Sequence, residues 1–340
     1  MSSKRAHEKA AFLGRIGWAG ARMQPLAGDA SARRYERLSG GPGGAGAVLM
    51  DAPPQTCTST AAFVKIAQHL TVSGFSAPRI LHKDVAGGFL LLEDLGDDLF
   101  ARVARNNPQA EQELYSAATD FLVAMHSTTP PTGLAVLGVG ALARMIGVTF
   151  EWYCPTPKTE EKQVAMAAMA HALGGLKPNA TVLALRDFHA ENLIWLPERA
   201  GVARVGLLDF QDAFLGHPVY DLISLTRDAR RDVSAETVRR TMARYIAATG
   251  QSEVAFGRAA ATFAVQRNLR ILGVFARLAK RDAKPAYLDY IPRVWGHLQR
   301  DLSHPYLADL GRIVLRALPP PRPEFLLEMR EKCSTPPAPQ

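Results

Sequence analysis

Leu183-Ala184-Leu185-Arg186-Asp187-Phe188-His189-Ala190-Glu191-Asn192, followed by Val205-Gly206-Leu207-Leu208-Asp209-Phe210-Gln211-Asp212, is the stretch on which the reading of this chain turns. In the first piece an apolar run ends and two oxygen-bearing side chains follow, Asp187 and then Asn192. In the second, a short apolar run of the kind that forms a buried strand delivers Asp209 at its end. Phosphoryl transfer asks little covalent chemistry of a protein. It needs a carboxylate to orient and deprotonate the acceptor hydroxyl, and oxygen ligands to hold Mg2+ against the phosphates. Asp187 suits the first task. Asn192 and Asp209 suit the second, because Mg2+ prefers hard oxygen donors. The plain alternative is a set of surface turns, where Asp and Asn are favoured anyway.

Outward from this stretch, the two halves of the chain read differently. Before it, Ala6–Trp18 has helical periodicity, and Met23–Ala27, Arg33–Leu38 and Ala47–Met50 read as strands. Ala61–Ser73 reads as a helix ended by Gly74, and Phe89–Leu92 as a buried strand. After Gly96 the pattern is helical: Pro108–His126, Glu161–Leu173, Ser234–Thr249 and Val254–Lys280, with short strand-like runs at Thr181–Leu185, Leu193–Leu196 and Val202–Leu208. From Pro319 on, prolines suggest a strap or a loose tail. The expected architecture is α+β, with a small antiparallel-sheet N-lobe over 1–95, a larger mainly helical C-lobe over 96–318, and a Pro-rich C-terminal tail over 319–340.

Asp187, Asn192 and Asp209 at these spacings, with Gly216-His217-Pro218-Val219-Tyr220-Asp221-Leu222 downstream, resemble the catalytic loop and metal-binding strand end of the aminoglycoside phosphotransferase superfamily, within the protein-kinase-like fold. Leu185 stands where that loop begins with His, a structural support in the family. The resemblance implies that Asp221 braces the catalytic loop. A closer resemblance, to the bacterial N-acetylmuramate/N-acetylglucosamine anomeric kinases, lies in four further segments. They are Gly28-Asp29-Ala30-Ser31 with Arg33-Arg34-Tyr35, Leu49–Pro54, Gly88–Leu95 and Gln266–Leu278. It implies an ATP- and Mg2+-dependent transferase acting on an amino sugar in cell-wall recycling. Alternative acceptors are an aminoglycoside, choline, homoserine or another small alcohol. A non-catalytic nucleotide- or sugar-binding pseudokinase is a further alternative.

The nucleotide side draws on several segments. Gly28, Asp29 and Ser31 lie in a turn whose N–H groups and hydroxyl would cradle phosphate, with Arg33 or Arg34 adding charge. Glu93 and Leu95 would meet the adenine edge from the hinge. Kinases of this fold carry a lysine on the third strand, paired with a glutamate on the next helix. Met50 stands at that strand position here, and Ala61–Leu70 holds no glutamate. Gly41-Pro42-Gly43-Gly44-Ala45-Gly46 matches G-x-G-x-x-G in letters but leads into a strand, so it reads as a connection rather than a dinucleotide loop.

On the acceptor side, Trp152 and Tyr153 offer flat faces for a sugar ring, against core packing as the plain reading. The segment from Arg258 to Lys284 holds seven basic residues against one acid, with Arg267, Arg270, Arg277 and Arg281 at helical spacing. The plain reading is a solvated face. The functional one assigns Arg267 and Arg277 to an anionic acceptor, such as the lactyl carboxylate of N-acetylmuramate, and disfavours a polycationic aminoglycoside. His126 and His189 read as structural histidines.

Composition bounds the rest. With 340 residues and a formal net charge of +8, the chain suits anionic ligands. It lacks dense basic runs with interleaved aromatics, so nucleic acid is not expected as a partner. No apolar stretch is long enough for a membrane span, and the start does not read as a signal peptide. Cys57, Cys154 and Cys333 have no metal-ligand spacing, and a reducing cytoplasmic location is expected. Oligomeric state is left open.

Overall fold

The computed structural model describes residues 3–26, 33–57, 60–156, 158–176 and 181–333. In chain order the elements begin with α1 (Ser3–Arg15), β1 (Arg22–Pro25), β2 (Arg34–Ser39), β3 (Ala47–Asp51), α2 (Thr60–Val72), β4 (Ile80–Asp84), β5 (Phe89–Leu92), α3 (Phe100–Asn106) and α4 (Glu111–His126). They continue with α5 (Val139–Met145), α6 (Gly147–Trp152), α7 (Thr159–Gly174), β6 (Val182–Ala184), β7 (Leu193–Trp195), β8 (Val205–Leu207), β9 (Phe214–Gly216), α8 (Val219–Thr226), α9 (Ala235–Thr249), α10 (Glu253–Asp282), α11 (Ile291–Leu302), α12 (Ala308–Ala317) and α13 (Pro323–Glu331). By packing, the chain divides into Met1–Ala124 with Ala190–Ala213, and Met125–His189 with Phe214–Gln340. The expected lobes, 1–95 and 96–318, divide it instead at a hinge, and that division stands as a proposal.

The first unit holds an antiparallel sheet in the order β1-β2-β3-β5-β4. The inner strands β3 and β5 are the apolar runs Ala-Val-Leu-Met-Asp and Phe-Leu-Leu-Leu, buried nearly throughout, as interior strands require. Helix α1 covers this sheet, with Phe12 stacked on Phe89 at a ring separation of 5.5 Å. It ends at Arg15, earlier than the periodicity implied. Gly17 takes a left-handed φ of 77° and Trp18 N–H donates to the Leu13 carbonyl at 2.8 Å. This glycine cap reverses the chain. Trp18 therefore leaves the helix and joins Phe12, Leu38, Leu49 and Leu91 in the core.

Strand β4 is absent from the expectations. It is an edge strand with exposed His82 and Lys83 and a bulge between Ile80 and His82, so no alternation marks it. The glycine-rich segment 41–46 holds one short 3-10 turn, Pro42–Gly44, and leads into strand β3 rather than into an α-helix, as its context implied. Strands β7 and β8 make a separate ribbon in this unit, tied down by Leu207 N–H to the Ser76 carbonyl at 3.0 Å and by Ser76 Oγ to the Ala203 carbonyl at 2.6 Å.

The second unit is helical apart from the β6–β9 pair. Its axis is α10, whose buried residues include Phe256, Phe263, Leu269, Leu272 and Phe275. Gly273 permits the close approach of α6, since a Cβ there would strike the Val148 and Thr149 backbone. The solvated-face reading of the α10 arginines does not hold at Arg267, which is only 6 % exposed. Helix α9 starts as the sequence suggests, with Ser234 Oγ accepting the Thr237 N–H at 3.1 Å.

After Pro319, where a strap or a loose tail was expected, the described residues continue into a helix. Pro323 sits in the first turn of α13, where its missing N–H costs nothing, and Met329 and Cys333 are buried. Residues 334–340 lie outside the described residues.

Candidate active site

The loop after β6 is held by its backbone. Asp187 N–H donates to the Leu185 carbonyl at 3.0 Å across Arg186, whose φ is 77°. This is the rare γ-turn with positive φ, strained for a residue with a Cβ. Three side chains over-determine it: Asp221, Arg267 and Ser224, whose Oγ lies 3.5 Å from the Arg186 carbonyl oxygen. Asp221, in the first turn of α8, accepts the Leu185 N–H on Oδ2 at 2.6 Å and the Arg186 N–H on Oδ1 at 3.0 Å. From α10, Arg267 Nη1 donates to the Arg186 carbonyl at 2.9 Å and Nη2 to Ser224 Oγ at 2.6 Å. The Arg267 guanidinium also lies 4.6 Å over the Tyr220 ring.

Asp187, half-buried, follows this turn directly. Burial pushes its carboxyl up, but the charges of Arg267, His189, Arg270 and Arg186 offset this, and its pKa lies below the ordinary carboxylate value. Asp221 is 1 % exposed, and burial raises its pKa to about 6 against the pull of its backbone donors and Arg267. Leu185, at the position where the family motif has His, is buried. His189 is buried too, with Nε2 3.2 Å from Arg230 Nη1, and burial lowers its pKa.

In the first unit, the β7–β8 register pairs Leu193 with Leu207, and Leu208 N–H donates to the Asn192 carbonyl at 2.9 Å. Asn192 and Asp209 therefore leave the same end of one ribbon, on neighbouring strands. Asp209 has a left-handed φ of 53°. Gln211 Nε2 donates to its Oδ1 at 2.7 Å, and Phe210 anchors the turn on Phe63 of α2, with ring centroids 4.8 Å apart. The donors here are oxygens alone. Among the described residues no group of three or more His, Cys, Asp or Glu surrounds a metal position. Such a pair suits a Mg2+ ion that completes its shell with phosphate and water.

Arg33 is buried, and its Nη1 lies 3.9 Å from Asp209 Oδ1, whereas Arg34 is exposed on β2. Met50, at the expected lysine position, is fully buried between Tyr35 and Leu90. Gly28, Asp29 and Ser31 lie outside the described residues. Glu93 N–H donates to the Arg79 carbonyl at 2.8 Å, so its carbonyl is what it would offer an adenine edge. Its carboxylate meets Arg199 at 2.9 Å. Leu95 is buried, and Asp94 beside it is clipped to β2 by Arg37 at 2.6 Å.

The acceptor-side residues divide. Tyr153 is fully buried. Its hydroxyl donates to the Pro319 carbonyl at 2.8 Å, and its ring packs on Phe325 and Trp295. This is a core residue that fastens the tail, so its sugar-face reading is corrected. Trp152 is half-buried and its carbonyl takes Lys280 Nζ at 2.7 Å. Arg277 is half-buried, and its charge acts on Asp282 rather than on the loop. Arg270, whose helical spacing from Arg267 was legible, is the arginine the site assignment missed.

Comparison with known proteins extends these observations. The model of the phosphotransferase enzyme family APH matches residues 22–261. A curated N-acetylmuramate/N-acetylglucosamine kinase from Caulobacter vibrioides is 39 % identical, over 91 % of this chain and 96 % of its own. One of the same name from Pseudomonas aeruginosa is 33 % identical, over 88 % of this chain and 89 % of its own. Among solved structures, a choline/ethanolamine kinase family protein from Mesorhizobium loti superposes with a TM-score of 0.63 at 17 % identity, covering 92 % of this chain and 97 % of that one. The GDP complex of aminoglycoside 2'-phosphotransferase-IIIa gives a TM-score of 0.61 at 13 % identity, covering 88 % and 98 %. These structural likenesses establish the two-lobed kinase-like fold. No helix among the described residues is long and apolar enough to cross a membrane. With the family model spanning most of its length and curated kinases aligning along nearly all of it, the chain belongs to the APH phosphotransferase enzyme family.

Proposed function

We propose that the protein is an ATP-dependent sugar kinase. It phosphorylates the anomeric hydroxyl of an amino sugar, N-acetylmuramate, N-acetylglucosamine or both, in cell-wall sugar recycling. The observation that carries this reading is Asp187 on a loop clamped from both sides, in a chain aligned over 91 % of its length with a named amino-sugar kinase.

Asp187 orients the acceptor hydroxyl and takes its proton as that oxygen bonds to the γ-phosphorus. The bond from phosphorus to the β,γ-bridging oxygen breaks, and ADP leaves with its electron pair. The products are a sugar 1-phosphate and ADP. A carboxylate held ionised at neutral pH is ready for this, and orientation contributes more than basicity. Asn192 and Asp209 would hold Mg2+, which when bound neutralises phosphate charge. Arg33 supplies the cation that Met50 does not, and Gly28, Asp29 and Ser31 would cradle phosphate. Glu93 and Leu95 would meet the adenine edge by their backbone.

The test is ADP release with N-acetylmuramate, N-acetylglucosamine, glucose, choline and kanamycin as acceptors. Turnover of an acetylated amino sugar is expected. Release with choline or kanamycin alone would transfer the reading to another small alcohol, and nucleotide binding without any release would make the protein a non-catalytic binder. Asp187→Asn is expected to lower turnover by about 10²–10⁴-fold. Its nucleotide affinity should stay unchanged.

A further inference from the structure

On α10, Arg267 and Arg270 are three residues apart, so their side chains are neighbours on one helix face. Arg267 is fully engaged with the Arg186 carbonyl, Ser224 and the Tyr220 ring. Arg270 is not. It is half-buried, and among the described residues it makes no hydrogen bond and no ion pair. Burial lowers its pKa, and the charges acting on it are those of Tyr220, Arg186, Asp187 and Arg267. The neighbourhood thus holds three guanidinium groups and two carboxylates. One carboxylate, Asp221, is occupied by backbone N–H groups. The other, Asp187, is shared among several cations. A half-buried guanidinium that makes no hydrogen bond within the described residues keeps its donors for a ligand, and its planar fork matches a carboxylate in two-point contact.

We infer that Arg270 binds an anionic substituent of the acceptor, a carboxylate, and thereby selects among the sugars that present a hydroxyl to Asp187. This rests on the amino-sugar reading above. Of the two sugars in the relatives' names, N-acetylmuramate carries a lactyl carboxylate and N-acetylglucosamine carries none. Arg270 therefore separates one substrate from the other by binding. Arg277, two turns further along the helix, acts on Asp282 and has no part in this contact.

The experiment measures steady-state kinetics of Arg270→Met and Arg270→Lys with both sugars, alongside thermal melting and the KM for ATP. In Arg270→Met, the KM for N-acetylmuramate is expected to rise roughly ten- to a hundredfold, as for a lost charge-assisted contact, and any fall in kcat from the lost charge beside Asp187 should be the same for both sugars. The KM values for N-acetylglucosamine and for ATP should stay within about twofold, since neither ligand is held by this contact. Arg270→Lys should recover part of the loss, and it carries the test if Arg270→Met does not fold. Calorimetric titration of N-acetylmuramate in the presence of ADP should show the same ordering. Equal rises in KM for both sugars would overturn the assignment in favour of a loop-positioning role. A rise confined to the KM for ATP would overturn it in favour of a phosphate contact. Wild-type turnover of neither sugar would remove the amino-sugar reading itself. Turnover of N-acetylglucosamine, with selectivity unaltered in the variants, would remove only the role of Arg270.

Discussion

Arg267 Nη1 donates to the carbonyl oxygen of Arg186 at 2.9 Å, on the opposite side of the residue whose N–H is held by Asp221. A left-handed residue with a Cβ costs about 1–3 kcal/mol and persists only where its surroundings over-determine it. Arg186 meets that condition from α8 and α10 together, and the strain sets the direction in which Asp187 leaves the loop. In Arg267→Met, the Arg186 carbonyl and Ser224 each lose a charged donor. We expect a stability loss of about 2–4 kcal/mol in urea unfolding. A kcat lower by about 10²-fold should accompany it, with the KM for nucleotide unchanged. Full kcat in a folded variant would remove Arg267 from positioning.

Asp221 predicts a pH dependence of folding. Its carboxyl titrates at about 6 in the folded chain because burial disfavours the charge, against 3.8 for an ordinary aspartate. Between those values the folded chain keeps a proton that the unfolded chain has released. The stabilisation is fully present below the unfolded value and is lost as pH rises to the folded one. Asp221→Asn removes this titration. Denaturant titrations at pH 4, 5 and 6.5 should show wild type losing stability relative to the variant by roughly a few kcal/mol across the window. A constant difference across those pH values would refute the assignment.

Arg33 approaches Asp209 from the start of β2, while Met50 leaves the expected lysine position apolar. Arg33→Met should weaken Mg-ATP binding by about tenfold in a fluorescent-nucleotide titration, with partial recovery in Arg33→Lys. Asp209→Asn should instead raise the Mg2+ concentration needed for half-maximal turnover. Undiminished nucleotide affinity in Arg33→Met would place the compensating charge elsewhere.

Tyr153 fastens the segment leading to α13 through its hydroxyl and the Pro319 carbonyl. Tyr153→Phe should cost about 1 kcal/mol, one buried hydrogen bond, and lower the melting temperature by a few degrees. Both sugar KM values should be unaltered. A selective rise in a sugar KM would restore this tyrosine to the acceptor site.

The elements that were legible are those whose residues report local demands. Phe89–Leu92 is an uninterrupted apolar run and forms an interior strand with the expected bounds. Ser234 is the cap of α9, and Gly74, with φ of 84°, follows α2. Strand β4 was not legible, because an exposed edge with a bulge carries no alternation. Nor was α13 expected, since proline clusters read as irregular when the packing partners Tyr153 and Phe325 lie far apart in sequence.

What the chain's own order of residues determined is the chemistry on offer: a carboxylate at 187, oxygen donors at 192 and 209, and a net positive charge. These follow from residue type and spacing alone. Which arginine on α10 is a brace and which remains unpaired was decided only in three dimensions. Arg267 and Arg270 share a helix face and a side-chain type, and they differ in what the loop and α8 bring against each one. That outcome depends on long-range hydrogen-bond partners, Arg186 and Ser224, which no local pattern encodes.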